Sequence, residues 1–417
     1  MISEAILTWK LLQEARAASR RPQAWFRARQ ESGMKRLLIH AYQKVPLYQR
    51  LYNAAGFNPE SFRTLEDLPR IPPLTKALLK QTRAEDSVAL GTNLSHCQLV
   101  STSGSTGMPL QIVLGPYERC WHRAVAWRVL FEHGFRWTDR TLEIRMALGP
   151  IQRIQKLGIA PKDWGSILDP PAKWAHQLAQ RRHECVVAGA GTLELLAEAV
   201  TGGETRPPRI VISDSEPLTP RARAQVHAKL GTDPVDVYGL VEVSNFAWQC
   251  EQRDQFHVSA DSHIVEVAAP PGQTGNLLVT ALGMWTMPMI RYETGDLAEI
   301  ATQTCPCGRT LPGLKAVHGR AVDSIRLGNG RYLLWPYFHE LLGTEQDLLE
   351  WQVCQETPRD LLVKAVLRSP DTNTVKRIES RLRCQLPTEL RVKVESVSSI
   401  PAERNGKRKL IVPLGDV

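Results

Sequence analysis

Three consecutive stretches decide the fold: ECVVAGAGTLELLAEAV (184–200), RIVISDSEPLTPRARAQVHAKL (209–230) and VDVYGL (235–240). In the first two, a short run of β-branched and small apolar residues gives way to helically spaced apolar positions. The third is another apolar run. Strands alternating with helices predict βαβ units on a largely parallel sheet. Upstream, WKLLQEARAA and MKRLLIHAYQ carry helical spacing, so residues 1 to about 90 read as helical. Downstream, HIVEVAAPPGQTGNLLVTAL and MIRYETGDLAEIA read as antiparallel strands joined by Gly/Pro turns. The last hundred residues hold LLVKAVL, the helical NTVKRIESRLRCQL and RVKVESV, which predict a small α+β unit with a three-stranded sheet.

The expected class is therefore α/β. It has a large N-terminal domain of mixed, mainly parallel sheets and helices with a β-hairpin or barrel-like segment, and a small mobile α+β C-terminal domain. The expected domains are 1–319 and 324–417.

At 417 residues the chain is too long for one ordinary core. Hydrophobic residues make up 43% and charged residues 23%, a normal globular composition that argues against disorder. No apolar run approaches the ~18 residues of a membrane span. MISEAILTWKLLQEARAASRR carries Glu4 and lacks a clean apolar core, so it reads as an amphipathic helix and not a signal peptide. A cytoplasmic protein is expected. The formal net charge of +9 is dispersed along the chain, which favours a generally basic surface or phosphate-bearing ligands over nucleic acid. The oligomeric state stays open, a homodimer included.

STSGSTGMP (101–109) is rich in the hydroxyls and glycines that cradle phosphates, although its spacing is not that of a P-loop. Alone it reads equally as a surface loop. DVYGLVEV (236–243) offers Tyr238, whose ring suits a base, and Glu242, whose carboxylate suits Mg²⁺. Alone it reads as the end of a buried strand. RYETGDLAEI (291–300) offers Asp296 for the two hydroxyls of a ribose, or an ordinary turn. ERNGKRKLI (403–411) puts Lys407 after Gly406 in a basic loop, with Lys409 as a rival.

In this order the motifs resemble those of the adenylate-forming ligases, and within them the phenylacetate–CoA ligase-like branch, which includes capsule-biosynthesis proteins. Thr102–Pro109 matches the family's first motif, Tyr238, Gly239 and Glu242 a second, and Tyr292–Asp296 a third. Gly319 with Arg320 matches the hinge, and Gly406 with Lys407 the terminal motif. HAYQKVPLYQRLY (40–52), LEDLPRIPPLTK (65–76), SDSEPLT (213–219) and CPCGRTLP (305–312) point to the branch.

The resemblance implies an enzyme that activates a carboxylic acid with ATP and passes the acyl group to a thiol, most often of coenzyme A. It assigns the phosphates to Ser103, Gly104, Ser105, Thr106 and Gly107. Adenine goes to Ser215, Glu216, Pro217, Tyr238 and Gly239, ribose to Asp296 and Arg320, Mg²⁺ to Glu242, and transition-state charge to Lys407. Other acceptors (an amine, a hydroxyl, a carrier-protein thiol) and a degenerate adenylate-binding protein remain alternatives. Two departures stand out: Met108 where the family often has Lys, and Val322 in GRAVDS where a pivoting Asp is usual.

CEQRDQFH (250–257) and CPCG (305–308) supply Cys250, His257, Cys305 and Cys307, a donor set suited to a structural tetrahedral Zn²⁺. The plainer reading is of small turn residues and a core histidine.

Overall fold

The helical reading of the N-terminus is met by α1 (Ile2–Ala18), α2 (Gln23–Lys44), α3 (Pro46–Ala54) and α4 (Lys76–Gln81). The computed structural model describes residues 2–101, 110–146, 148–149, 151, 153–200, 206–320, 324–328, 332–343, 345–369, 371–401 and 409–414. Helix α1 buries Thr8, Leu12, Ala15 and Ala18, a three–four spacing that makes one mainly apolar stripe. That stripe packs on α5 (Pro116–Glu132).

The strands are β1 (Gln98–Ser101), β2 (Gln111–Leu114), β3 (Thr141–Arg145), β4 (Lys162–Ser166), β5 (Cys185–Gly189), β6 (Ile210–Asp214) and β7 (Val235–Leu240). After these come β8 (Ser244–Gln249), β9 (Phe256–Val258), β10 (His263–Val267), β11 (Thr274–Ala281), β12 (Tyr292–Ile300) and β13 (Gly313–Arg320). Between them run α6 (Arg153–Lys156), α7 (Pro171–Gln180), α8 (Ala190–Ala199) and α9 (Pro220–Leu230).

Eleven strands form one sheet in the order β10-β11-β12-β13-β9-β8-β7-β6-β5-β3-β4. From β4 to β7 the pairing is parallel, as the strand–helix alternation predicts. At β7 it turns antiparallel toward β8 and β9, so the antiparallel strands join the same sheet. Strands β5 and β6 are buried along almost their whole length, as expected of parallel strands covered on both faces. Helices α7, α8 and α9 share one apolar cluster with β3, β5 and β6.

The described residues fall into two compact units, 2–294 with 298–317, and 295–297 with 318–414. The second contains β14 (Ile325–Arg326), β15 (Tyr332–Leu333), α10 (Trp335–Leu342), β16 (Leu348–Gln355), β17 (Asp360–Leu367), α11 (Thr372–Gln385), β18 (Arg391–Ser396) and β19 (Ile411–Val412). Strand β17 alternates buried and half-buried positions, and Asp371 caps α11 by accepting from the Asn373 and Thr374 amides at 3.0 Å. Its sheet has four strands, β18-β17-β16-β19, not the three expected. The extra strand is two residues long and pairs in parallel with Val353 and Cys354, too short to leave a periodic signal. Among the described residues, no helix is long and apolar enough to cross a membrane.

His122 and His263 belong to the large unit. His263 is fully buried; its Nε2–H donates to the Val243 carbonyl at 2.9 Å, and Nδ1 lies 3.0 Å from the Ser262 hydroxyl. Burial pushes its pKa down to about 4 and that of His122 to about 3. Between these values and the ordinary ~6.5 the unfolded chain binds more protons, so stability rises with pH. Full stability is present above the unfolded value and is lost as pH falls below it. The thermal midpoint should therefore fall as pH is lowered from 7 to 5, and His263→Gln should flatten that slope. Scanning calorimetry at matched ionic strength checks both.

Candidate active site

Glu242 lies in the tight connection between β7 and β8. The ladder slips between Tyr238 and Gly239, and a Cβ on Gly239 would lie 2.5 Å from the Asn245 Cα and 2.7 Å from the Ser244 carbonyl. Only glycine fits, which explains the Tyr-Gly pair and fixes where the chain turns. The turn puts the Glu242 side chain inside, at 4% exposure. A buried carboxylate needs partners. Its Oε1 accepts from the Tyr292 hydroxyl at 2.9 Å, and Lys76 Nζ stands 3.9 Å away.

Those partners come from two other motifs. Tyr292 opens β12 and pairs with Leu74 through a parallel bridge; the Leu74 amide donates to the Arg291 carbonyl at 3.1 Å, and the Glu293 amide to the Leu74 carbonyl at 2.9 Å. The Thr75 hydroxyl accepts from the Leu78 amide at 3.1 Å and so caps α4, whose first residue is Lys76. Thus PLTK, YGLVE and YETGD converge on one carboxylate. Lys76 was not among the residues expected from sequence; the signal available was the PLTK segment itself, without its partner. Just ahead of Tyr292, Arg291 has φ +46° and is held by Glu266 at 3.0 Å and by the Ile71 carbonyl.

Tyr238 is half-buried and meets Phe246 edge-on, with centroids 5.3 Å apart at 78°. Ser215 has φ +67°, and its hydroxyl donates to Asp214 Oδ1 at 3.1 Å. The Glu216 carboxylate accepts from the Gly191 amide at 3.0 Å, at the start of α8, so its side chain is already held there. Pro217 follows before α9. Asp296 is buried on β12, and Arg320 ends β13. Ser103, Gly104, Ser105, Thr106, Gly107, Met108, Val322 and Lys407 lie outside the described residues. The backbone of Lys409 is tied down, its carbonyl accepting from Gln352 Nε2 at 2.8 Å.

The Cys/His set also comes together. The donor atoms of Cys250, His257, Cys305 and Cys307 all lie within 4.8 Å of one another. Cys250 Sγ is 3.5 Å from Cys305 Sγ, and Cys307 Sγ is 3.3 Å from His257 Nε2. Tetrahedral zinc with ~2.3 Å bonds holds sulfurs about 3.8 Å apart, so the spacing fits. Burial raises the Cys250 thiol to about 12, raises Cys305, and lowers His257 to about 4. Burial acts on Cys307 in the same direction as on the other thiols, but the amide and guanidinium of Arg309 bring it below its ordinary value.

No family model matches the chain. It is 29% identical over 329 residues to the phenylacetate–coenzyme A ligase of Thermus thermophilus, covering 73% of this chain and 72% of that one. It is equally identical over 327 residues to the Escherichia coli enzyme of the same name, covering 72% of each. Its fold superposes with a TM-score of 0.79 on a 2-hydroxyisobutyryl-CoA ligase in the postadenylation state, at 20% identity over 96% of this chain and 92% of that one. The corresponding score for MatB of Rhodopseudomonas palustris is 0.56, at 19% identity over 77% of this chain and 68% of that one. Fold and motif order together match those of the adenylate-forming superfamily. Within it, the chain is similar to the phenylacetate–coenzyme A ligases, at 29% identity over nearly three quarters of its length.

Tyr292→Phe removes one donor to a buried carboxylate, so it should cost about 1–3 kcal/mol of stability. Urea unfolding measures it. An unchanged midpoint would show that the hydroxyl and Glu242 are not coupled.

Proposed function

We propose that this chain is an AMP-forming acid–CoA ligase. A carboxylate oxygen attacks the α-phosphorus of ATP and pyrophosphate leaves. The thiol of coenzyme A then attacks the acyl carbon, the acyl C–O bond breaks, and AMP departs with that oxygen. The observation that carries the reading is the meeting of PLTK, YGLVE and YETGD at buried Glu242, in a chain 29% identical to phenylacetate–coenzyme A ligases over nearly three quarters of its length.

The roles follow from charge. Carboxylate attack on a phosphate brings two anions together, so cations must offset their repulsion in the transition state. Among the described residues, Tyr292 and Lys76 both approach Oε1 of Glu242, and Oε2 would serve a Mg²⁺ ion. That ion would supply Lewis-acid stabilisation to the phosphates. Lys76 adds a positive charge beside it, on a site whose phosphate loop carries Met108 in place of the usual Lys. The hydroxyls and amides of 103–107 hold the β- and γ-phosphates, Tyr238 and the 215–217 backbone hold adenine, and Asp296 and Arg320 hold ribose. Lys407 comes from a small domain, 324–417, acting as a lid over a core domain, 1–319. A residue on such a lid can serve one half-reaction and withdraw for the other.

The Cys250–His257–Cys305–Cys307 cluster fits a structural zinc. Four protein donors leave no open position for catalysis.

Acid-dependent exchange of pyrophosphate into ATP tests the first half-reaction. We expect exchange with at least one aromatic or small aliphatic acid, and Lys407→Ala to lower it by about 10²–10³-fold, the range seen when one transition-state contact is removed. ATP binding with no exchange across the panel would leave only a binding protein. If Lys409→Ala abolishes exchange and Lys407→Ala does not, the lysine assignment fails. Metal analysis of chelator-free protein should give one zinc per chain, lost with Cys305→Ser/Cys307→Ser together with a fall in thermal midpoint. Less than stoichiometric metal would count against the zinc.

A further inference from the structure

A charge network crosses the parallel strands and reaches the carboxyl ends of β3 and β6. After β3 the chain adds β4 on one side, then crosses to add β5 on the other, so the strand order reverses between β3 and β5. In open α/β sheets that reversal opens a crevice outside the carboxyl ends, where ligands bind. Arg145 is the last residue of β3, Gly189 of β5 and Asp214 of β6.

Arg145 reaches across the end of β5 to Asp214, two strands away, a span of roughly 10 Å between backbones. Its Nη1 and Nη2 donate to the two Asp214 oxygens at 2.8 and 2.7 Å, and Nε donates to Glu143 Oε1 at 3.1 Å. Lys162 on β4 pairs with the other Glu143 oxygen and lies 4.8 Å from the centroid of the Trp164 ring. Two cations and two anions therefore form one neutral chain across four strands. Burial pushes Glu143 up, but Lys162 and Arg145 more than offset this and hold it below its ordinary range.

Three facts separate this network from a purely structural buttress. Its side chains remain 10–24% exposed, so solvent reaches it. A guanidinium carries five N–H donors, and among the described residues three are engaged. Asp214 also accepts from the Ser215 hydroxyl at 3.1 Å, which joins the network to the segment proposed to line the adenylate. The wall beside it is tight: a Cβ on Gly149 would lie 3.0 Å from the Trp164 ring.

We infer that Arg145, held by Asp214 and Glu143, reads a hydroxyl or oxo group on the acyl chain, so that the acid this enzyme activates is oxygenated and not a plain hydrocarbon acid. The inference rests on the ligase reading above. A hydrocarbon tail laid over the network would strip water from charged groups, a penalty comparable to a lost hydrogen bond or more. A neutral oxygen can accept from the guanidinium without adding charge to a balanced network. A second carboxylate would leave it one negative charge in excess.

The test is kcat/KM for acid-dependent pyrophosphate exchange with matched pairs. Suitable pairs are 4-hydroxyphenylacetate against phenylacetate, 2-hydroxy-2-methylpropanoate against 2-methylpropanoate, 3-hydroxybutanoate against butanoate, and 4-oxopentanoate against pentanoate. The wild-type enzyme should favour the oxygenated member of its best pair by at least about tenfold. Sites built to hydrogen-bond a substrate group reject the analogue lacking it by far more than an apolar pocket can. Arg145→Met should erase that ratio by lowering kcat/KM for the oxygenated member at least about tenfold more than for the hydrocarbon member. Arg145→Lys, which keeps the charge but not the fork, should retain only part of it. A wild-type preference for hydrocarbon members, or an equal loss on both members in Arg145→Met, overturns the inference and leaves the ligase reading intact. No exchange with any acid overturns both. Because the wild-type ratio needs no variant, a misfolded Arg145→Met protein does not shield the proposal.

Discussion

The candidate site depends on keeping one carboxylate buried and satisfied. Glu242 is enclosed by a turn that only glycine at 239 permits. Tyr292 and Lys76, about 50 residues after it and well over a hundred before it, supply its donor and its countercharge. A buried charge without partners costs several kcal/mol, so the three segments must assemble together or not at all. That requirement ties the connection after β7, the start of β12 and the first turn of α4 into one unit. It gives a physical reason for three motifs so distant in sequence to occur in one chain.

Around that centre the fold separates tasks. The parallel strands deliver loop residues at their carboxyl ends, where Ser215, Asp214 and Arg145 lie. The antiparallel strands carry the Cys/His cluster on β9 and on the turns that lead into β9 and β13. The two arrangements share the principle that governs Glu242: polar groups inside the protein persist only when each is paired or ligated.

Much of this was legible in the sequence. Strand–helix alternation is a local, periodic signal, and β5, α8, β6, α9 and β7 fall where it puts them. The Cys/His set was legible because ligand chemistry restricts residue types whatever the fold. What escaped is what depends on distant pairing. The approach of Lys76 to Glu242 exists only once Leu74 has joined β12. The Arg145–Asp214 bridge requires knowing that β5 separates β3 from β6, an order that periodicity does not encode. Strand β19, two residues long, is recruited by its neighbour and not by its own propensity.

The central claim is that a carboxylate oxygen becomes bonded to the α-phosphorus. Acid labelled with ¹⁸O in both carboxylate oxygens, turned over with ATP and coenzyme A, tests it directly by mass spectrometry of the nucleotide and phosphate products. One ¹⁸O in AMP and none in pyrophosphate is the predicted result. Label in orthophosphate with ADP as the nucleotide product, or AMP without label, would contradict it.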